Sequence, residues 1–302
     1  MIRIRQIKLP VEHNKEDLIN KICKKLNIKK EDIKNIIINK KSIDARKEIN
    51  YIYEIDIETN KEKTILSKKI KDTLKTPNEK YIFNSTGKKE LKERPIIIGA
   101  GPAGLFCAYF LAKNNYKPVI IERGEEIDKR VKTVEKFWEY TILNENSNVQ
   151  FGEGGAGTFS DGKLNTTSKD IRIKEILKIF VKNGAPEEIL YIKNPHIGTD
   201  ILREVIKNMR NEIIKYGGKF IFNTCLKKII IENNKIKQIK INDEIIDAEN
   251  LVLALGHSSR DTFRMLLKNN VKITTKPFAI GVRVQHKQEL IDINQYGKKY
   301  NN

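Results

Sequence analysis

Residues 94–124 (RPIIIGAGPAGLFCAYFLAKNNYKPVIIERG) constrain the possible folds of this chain more than any other segment. Ile96–Ile98 form a short and fully apolar strand, which is typical of a buried parallel strand. Gly99, Gly101 and Gly104 follow it with the spacing G-x-G-x-x-G. In this pattern the first glycine permits a tight turn, the second lets a pyrophosphate approach the backbone, and the third lets a helix pack closely on the strand. The segment therefore predicts a dinucleotide-binding βαβ unit.

The residues after the glycine motif indicate the kind of dinucleotide. A helix is predicted over 103–113, with Pro102 and Ala103 at its start, and its positive N-terminal end would face the phosphates. A second strand over 118–121 leads into Glu122, close to the spacing of about 20 residues at which an acidic group binds the ribose. Glu122 would accept hydrogen bonds from ribose hydroxyls and repel a 2′-phosphate, and we place its neighbour Arg123 in the same site.

A second motif, AENLVLALGHSS at 248–259, helps to identify the cofactor. An apolar strand over 251–255 runs into Gly256, after a meander of short β-segments that begins near residue 218. This order resembles the late strand-to-glycine motif of flavoproteins with the glutathione-reductase type of FAD domain. Together the two motifs favour FAD over NAD. They predict an α/β fold, namely an FAD-binding Rossmann domain with an inserted β-meander.

A third motif is the glycine-rich loop NVQFGEGGAGTFSDGKLNT at 148–166. Such a density of glycine exposes backbone N–H groups that can bind an anion or the polar edge of a flavin. The alternative is a flexible surface loop, although the embedded Phe159 argues against it. The loop residues predicted to contact the cofactor are Gly154, Gly155, Gly157, Thr158 and Ser160.

Several strings together resemble a bacterial family of uncharacterised FAD-dependent dehydrogenases, a group of NAD(P)/FAD-dependent oxidoreductases. They include ERPIIIGAGPAGLFCAYFLA, SNVQFGEGGAGTFSDGKL, NPHIGTDILREVIKNMR, LALGHSSRDTF and KPFAIGVRVQH. The resemblance covers about residues 95–302. It implies non-covalent FAD and an oxidoreductase, with NAD(P)H as a candidate reductant and with the small-molecule substrate unassigned.

The residues that could carry chemistry are few, because a flavin itself transfers the electrons. Lys163 is a candidate for stabilising a reduced flavin, although a solvated lysine fits equally well. His196 and His257 could move protons near pH 7 or have structural roles. Arg203 and Arg210 fit a solvated helix face as well as a ligand site. The sequence shows no catalytic carboxylate pair, metal-ligand cluster or nucleophile elbow.

The chain divides into a small basic α+β unit at 1–83, a polar linker at 84–93 and the FAD domain at 94–275. The small unit is predicted to have the order β-α-β-β-α, with its last helix over 64–74, which is compatible with a ferredoxin-like sandwich.

The net charge of the chain is +19. An RNA-docking role for the small unit is one alternative, but no aromatic-rich signature for stacking bases accompanies it, and the lysines are scattered. A non-catalytic flavin-binding module is another alternative.

The cysteines and the uncharged segment at 95–112 indicate the cellular compartment in which the protein is expected. The three cysteines lie far apart and form no C-x-x-C pair, which favours a reducing cytoplasm. Residues 95–112 are uncharged, but the clustered glycines disfavour a membrane span.

The end of the chain leads to an expectation about completeness. Residues 276–286 (KPFAIGVRVQH) are predicted to form the first strand of a substrate-side domain at 276–302. No Gly-Asp motif follows, so we expect a C-terminally truncated chain that binds FAD weakly.

Overall fold

The computed structural model describes residues 1–84, 87, 89–160, 162–164, 166 and 168–298. Three positions of the predicted linker (85, 86 and 88) and two of the glycine-rich loop (161 and 165) lie outside these described residues. The contacts divide the chain into two compact units. Unit 1 comprises 1–80, 188–195 and 276–302, and unit 2 comprises 81–187 and 196–275. Unit 1 thus includes residues 188–195, which the sequence analysis assigned to the FAD domain, and residues 276–302, which it assigned to a substrate-side domain.

The elements of unit 1 are β1 (Ile2–Pro10), α1 (Lys15–Leu26), β2 (Ile33–Asp44), β3 (Asn50–Thr59), α2 (Glu62–Ser67), β4 (Thr73–Lys75) and, near the C-terminal end, α8 (Gln288–Tyr296). Its four strands form an antiparallel sheet in the order β2-β3-β1-β4. The first six elements follow the order β-α-β-β-α-β of a ferredoxin-like sandwich, so that prediction is confirmed.

The predicted helix over 64–74 is wrong in its second half. Helix α2 ends at Ser67, and Thr73–Lys75 instead form β4, which pairs with β1. Lys69 and Asp72 have φ values of 48° and 60°, which turn the chain out of the helix. Pairing with a strand distant in sequence therefore overrides the local helical pattern.

The sheet face opposite the helices carries charges rather than aromatic rings. Arg3 is 3% exposed and donates to Asp56 from two nitrogens, at 2.8 and 2.9 Å, and to Glu79 at 2.7 Å. The two tyrosines of β3, Tyr51 and Tyr53, pack with the helix-side core instead. Strands β1 and β3 thus lack the stacking side chains by which a sheet of this kind binds single-stranded RNA.

Unit 2 is built on a parallel sheet in the order β11-β5-β6-β7, which confirms the predicted Rossmann-type fold. A separate antiparallel sheet, β10-β9-β8, is the predicted meander. The elements are β5 (Ile96–Ile98), α3 (Pro102–Lys113), β6 (Val119–Ile121), α4 (Ile127–Tyr140), α5 (Arg172–Lys182), α6 (Thr199–Lys215), β7 (Lys219–Ile221), β8 (Leu226–Glu232), β9 (Lys235–Ile241), β10 (Glu244–Asp247), β11 (Leu251–Leu253) and α7 (Arg260–Lys268).

The register of this sheet brings its functional loops together. Ile98 is paired with Ile121 on one side and with Leu253 on the other, so three strands end at the same level. In open α/β sheets, ligands bind just beyond this carboxyl edge. The glycine motif, Glu122 and the segment that precedes Gly256 all begin there.

The strand predicted over 276–286 is wrong, because these residues adopt no regular structure. Phe278, Ile280, Val282 and Val284 alternate as a strand would, yet they are 72–90% exposed. A strand requires a hydrogen-bonding neighbour, and none pairs with this segment in the described part of the chain. Among the described helices, none combines the length and the apolar character needed to cross a membrane.

Candidate functional site

A cavity of about 520 Å³ lies at the carboxyl edge of the parallel sheet of unit 2. Its walls come from the glycine motif, the end of β6, the glycine-rich loop and the segment after β11. Of the predicted cofactor-binding residues, those that line it are Gly99, Gly101, Pro102, Ala103, Glu122, Arg123, Gly155 and Gly256. Gly104, Gly154, Gly157, Thr158 and Ser160 are not part of this lining.

The three motif glycines differ in what requires them. Gly99 has a φ of +103°, and a Cβ there would lie 2.4 Å from the carbonyl oxygen of Ala254. A Cβ on Gly104 would lie 1.8 Å from the carbonyl oxygen of Gly99, so this glycine permits the close packing of α3 on β5. Gly101 is different. Its φ is −71°, and the nearest atom to a Cβ there would be the Cα of Gly155, 4.0 Å away. Neither backbone strain nor packing requires a glycine at 101, and the space beside it belongs to the cavity.

Glu122 is buried beneath the glycine motif. Its Oε2 accepts a hydrogen bond from the N–H of Ala100 at 2.6 Å. Its Oε1 accepts from the N–H groups of Gly124 and Gly152 at 2.9 and 3.1 Å. A carboxylate has about four lone-pair directions, so these three N–H groups leave one direction on Oε2 unused. Glu122 also ties the glycine-rich loop to the end of β6, a role that the sequence did not indicate.

Arg123 forms a second wall of the cavity. Its guanidinium lies 4.7 Å from the centre of the Phe151 ring and 2.7 Å from a carboxylate oxygen of Asp261. It also donates to the sulfur of Cys225 at 3.4 Å. Phe151 and Cys225 both line the cavity, and neither was singled out in the sequence.

The glycine-rich loop is packed rather than solvated. Its Glu153 and Thr158 are both 0% exposed, which argues against the flexible-loop alternative. The N–H of Gly154 donates to the carbonyl of Ala100 at 2.9 Å. A Cβ on Gly155 would lie 3.0 Å from the Cδ of Pro102. The loop therefore lies directly against the start of α3, where the phosphates are predicted.

Arg130 of α4 lies behind this loop and was missed by the sequence analysis. Its side chain is fully buried, and it hydrogen-bonds the carbonyl oxygens of Asn148, Val149, Glu153 and Gly155. Burial lowers the pKa of Arg130 to about 10, so it stays protonated at pH 7. No local pattern distinguishes this arginine from the solvated basic residues of the same helix.

Glu153 faces away from the cavity. Its Oε2 accepts from the first N–H of α4, that of Ile127, at 2.8 Å and from Arg210 at 3.1 Å. Its Oε1 has no hydrogen-bond partner among the described residues. Burial raises the pKa of Glu153 to about 7, against the opposing effect of Arg210. Arg210 also pairs with Glu126 at 3.1 Å, so it is not part of a solvated face.

The three residues considered for catalysis are not brought to one place. His257 is exposed and lines the cavity, with the hydroxyl of Ser258 3.4 Å from its Nε2. Lys163 and His196 are joined by an isolated backbone bridge. Both have exposed side chains, and neither lines the cavity. His257 is therefore the one of the three that lines the cavity.

The chain is similar in sequence or structure to several known proteins. A family model described as pyridine nucleotide-disulphide oxidoreductase matches residues 93–277, and a domain of unknown function matches residues 1–58. An uncharacterised protein of Clostridium beijerinckii is 49% identical over 99% of this chain, which spans 57% of the length of that relative. A flavin-containing monooxygenase of Arabidopsis thaliana is 28% identical over 59% of this chain and 39% of its own length. Among solved structures, that of THI4 from Thermovibrio ammonificans aligns with a TM-score of 0.40 at 18% identity, over 59% of this chain and 62% of that one.

The matched segment contains the glycine motif at 94–124, the glycine-rich loop at 148–166 and the motif at 248–259, and it covers most of unit 2. The predicted class of FAD-dependent oxidoreductase and the predicted cofactor are thereby confirmed at the level of the family. The chain belongs to the pyridine nucleotide-disulphide oxidoreductase family.

Proposed function

We propose that this chain binds FAD non-covalently in the cavity of unit 2 and carries electrons from a reduced pyridine nucleotide to a small-molecule acceptor. The observation that carries the proposal is the open space at Gly101. Strain and packing account for Gly99 and Gly104, and a group that approaches the backbone would account for Gly101. A pyrophosphate at the N-terminus of α3 fits this requirement.

Different residues of unit 2 would bind different parts of the cofactor. The N–H groups at the start of α3 would bind the pyrophosphate, and the free lone pair of Glu122 would accept from the ribose. Arg123 and Phe151 would close one wall of the cavity. His257 is positioned at the lining to exchange a proton with a ligand. When bound, FAD supplies the hydride and electron chemistry itself.

A matched pair of glycine variants tests the site. Gly101→Val places a branched side chain in the open space, and we expect the protein to fold and lose FAD. Gly87→Val is the control, because a Cβ at Gly87 would meet nothing within 4 Å and Gly87 is not part of the cavity lining. FAD titration followed by flavin fluorescence, with circular dichroism for folding, gives the comparison. Equal FAD affinity in the two variants would disprove the pyrophosphate assignment.

Anaerobic reduction of the FAD-loaded chain tests the enzymatic part of the proposal. We expect NADH or NADPH to bleach the visible flavin band, whereas a non-catalytic module would hold FAD without being reduced by either. The RNA-docking alternative is not favoured, because β1 and β3 of unit 1 present a charged network where an RNA-binding sheet presents aromatic rings.

A further inference from the structure

We propose that Arg130 is a positioning residue of the FAD site, which fixes the shape of the glycine-rich loop that lines the cavity. The inference rests on the proposed function, because the loop bears on FAD only if the cavity binds it. Arg130 itself does not line the cavity. It would act through the loop residues that do.

The guanidinium of Arg130 contacts the loop at its start, at Asn148 and Val149, and again in its middle, between Glu153 and Thr158. Its Nε and Nη2 each donate to one acceptor, and the two N–H groups of Nη1 are shared among three acceptors. The acceptors are Asn148 O at 2.9 Å, Val149 O at 3.1 Å, Glu153 O at 2.6 Å, Gly155 O at 3.0 Å and Thr158 Oγ1 at 3.0 Å. A single planar group therefore fixes the distance between the start of the loop and the residues that follow Gly155.

The loop lies between Arg130 and the cavity. A Cβ on Gly152 would lie 2.4 Å from the Cδ of Arg130, while the N–H of Gly152 donates to Glu122 on the cavity side. Gly155 likewise accepts from Arg130 and faces Pro102 at the start of α3. A change in the contacts made by Arg130 would therefore move backbone groups in the cavity wall.

The hydrogen bonds from position 130 to the loop require the planar guanidinium group of an arginine. In the described part of the chain, no carboxylate lies within ion-pairing distance of Arg130, so its buried charge is used for hydrogen bonds to carbonyls rather than for an ion pair. Burying a charge is costly unless its donors are satisfied. The ring of Phe159, 4.7 Å from the guanidinium carbon, covers one face of it. A lysine has three donors at one point and cannot reach acceptors spread over the loop.

The test compares Arg130→Lys with Arg94→Lys in the full chain. Arg94 is the control for the loss of guanidinium-to-carbonyl hydrogen bonds alone, because this exposed arginine donates to the carbonyls of Lys117 and Gly217 in unit 2 at 2.6 Å each, and none of these residues lines the cavity. We measure the Kd for FAD at a temperature at which both variants are folded by circular dichroism. We also measure hydrogen exchange of residues 148–158 without FAD.

We expect Arg130→Lys to raise the Kd for FAD at least tenfold and to speed exchange in 148–158, while Arg94→Lys changes neither. In Arg130→Ala, added guanidinium ion at millimolar concentration should restore FAD binding, and methylammonium should not. If Arg130→Lys fails to fold, this rescue in Arg130→Ala decides the question.

A parental Kd and parental loop exchange in Arg130→Lys would overturn the proposal. So would a loss of FAD affinity that appears equally in Arg94→Lys, because that would reflect general destabilisation. If the parent chain fails to bind FAD while Arg130→Lys still speeds loop exchange, the proposed function is overturned and the hold of Arg130 on the loop is supported.

Discussion

Glu153 makes the stability of unit 2 depend on pH in the neutral range. Its carboxylate is 0% exposed, and one of its oxygens has no hydrogen-bond partner among the described residues. Burial opposes its charged form, as do the nearby Glu126 and Asp128, whereas Arg210 and the N–H of Ile127 favour it. Burial dominates, so the pKa of Glu153 is raised from 4.5 to about 7.

The sign and the size of the effect follow from this shift. Between the two pKa values the folded state binds a proton that the unfolded state has released, so the free energy of unfolding decreases as the pH rises. The contribution is fully present below about pH 4.5 and is lost as the pH rises through about 7. At about 1.4 kcal/mol per pH unit, the loss over this range is about 3 kcal/mol.

Glu153→Gln tests the reasoning because glutamine does not titrate. Urea unfolding can be followed through Trp138, which is the only tryptophan of the chain and lies on α4 of unit 2. We expect the stability difference between parent and variant to change by about 3 kcal/mol between about pH 5 and pH 8. Glu249→Gln is the control, because Glu249 lies in unit 2 outside the contacts of Glu153 and a hydrogen bond from Lys89 lowers its pKa below this range. Parallel pH profiles of parent and Glu153→Gln would refute the assignment.

Other substitutions test the cofactor site and the core of unit 1. Glu122→Ala should weaken FAD binding by about 1–3 kcal/mol and also lower the thermal midpoint, because three backbone N–H groups lose their acceptor; an unchanged FAD isotherm would disprove the ribose assignment. Gly104→Ala should prevent unit 2 from folding, since its Cβ would overlap the carbonyl of Gly99; a native Trp138 emission spectrum would contradict this. Arg3→Met should cost unit 1 about 3–5 kcal/mol, because the buried Asp56 loses its ion-pair partner, and a parental thermal unfolding curve would show that the pair does not stabilise it.

The glycine motif could be predicted because each of its requirements is local in sequence. A turn after a strand, a helix that begins at Pro102 and an acidic residue at the end of the next strand all depend on nearby residues. The ferredoxin-like order could be predicted for the same reason, since Asn14 and Asp17 form a capping box at the start of α1. Strand β4 could not, because it exists only through its pairing with β1.

The buried charges of the site could not be predicted from the sequence. Arg130 and Arg210 both lie on amphipathic helices, and the other basic residues of α4 are exposed. Whether they are buried depends on the glycine-rich loop, which packs on them from elsewhere in the chain. The alternating apolar pattern of 276–286 predicted a strand that the structure does not have, because a segment with a strand pattern forms a strand only when another strand pairs with it.

The division of the chain into units has a consequence for how this protein can be cut or synthesised. The backbone passes between the two units four times, since unit 1 is completed by 188–195 and 276–302. Within unit 1, the backbone of Lys41 on β2 exchanges hydrogen bonds with that of Tyr191 and Lys193. A protease that cuts once in the 84–93 segment would therefore leave two fragments that share a folded unit, and they should migrate together until a denaturant is added. On the ribosome, the chain grows at about 5–20 residues per second. Residues 191–193 would therefore be synthesised several seconds after β2, and their hydrogen bonds to Lys41 could form only then.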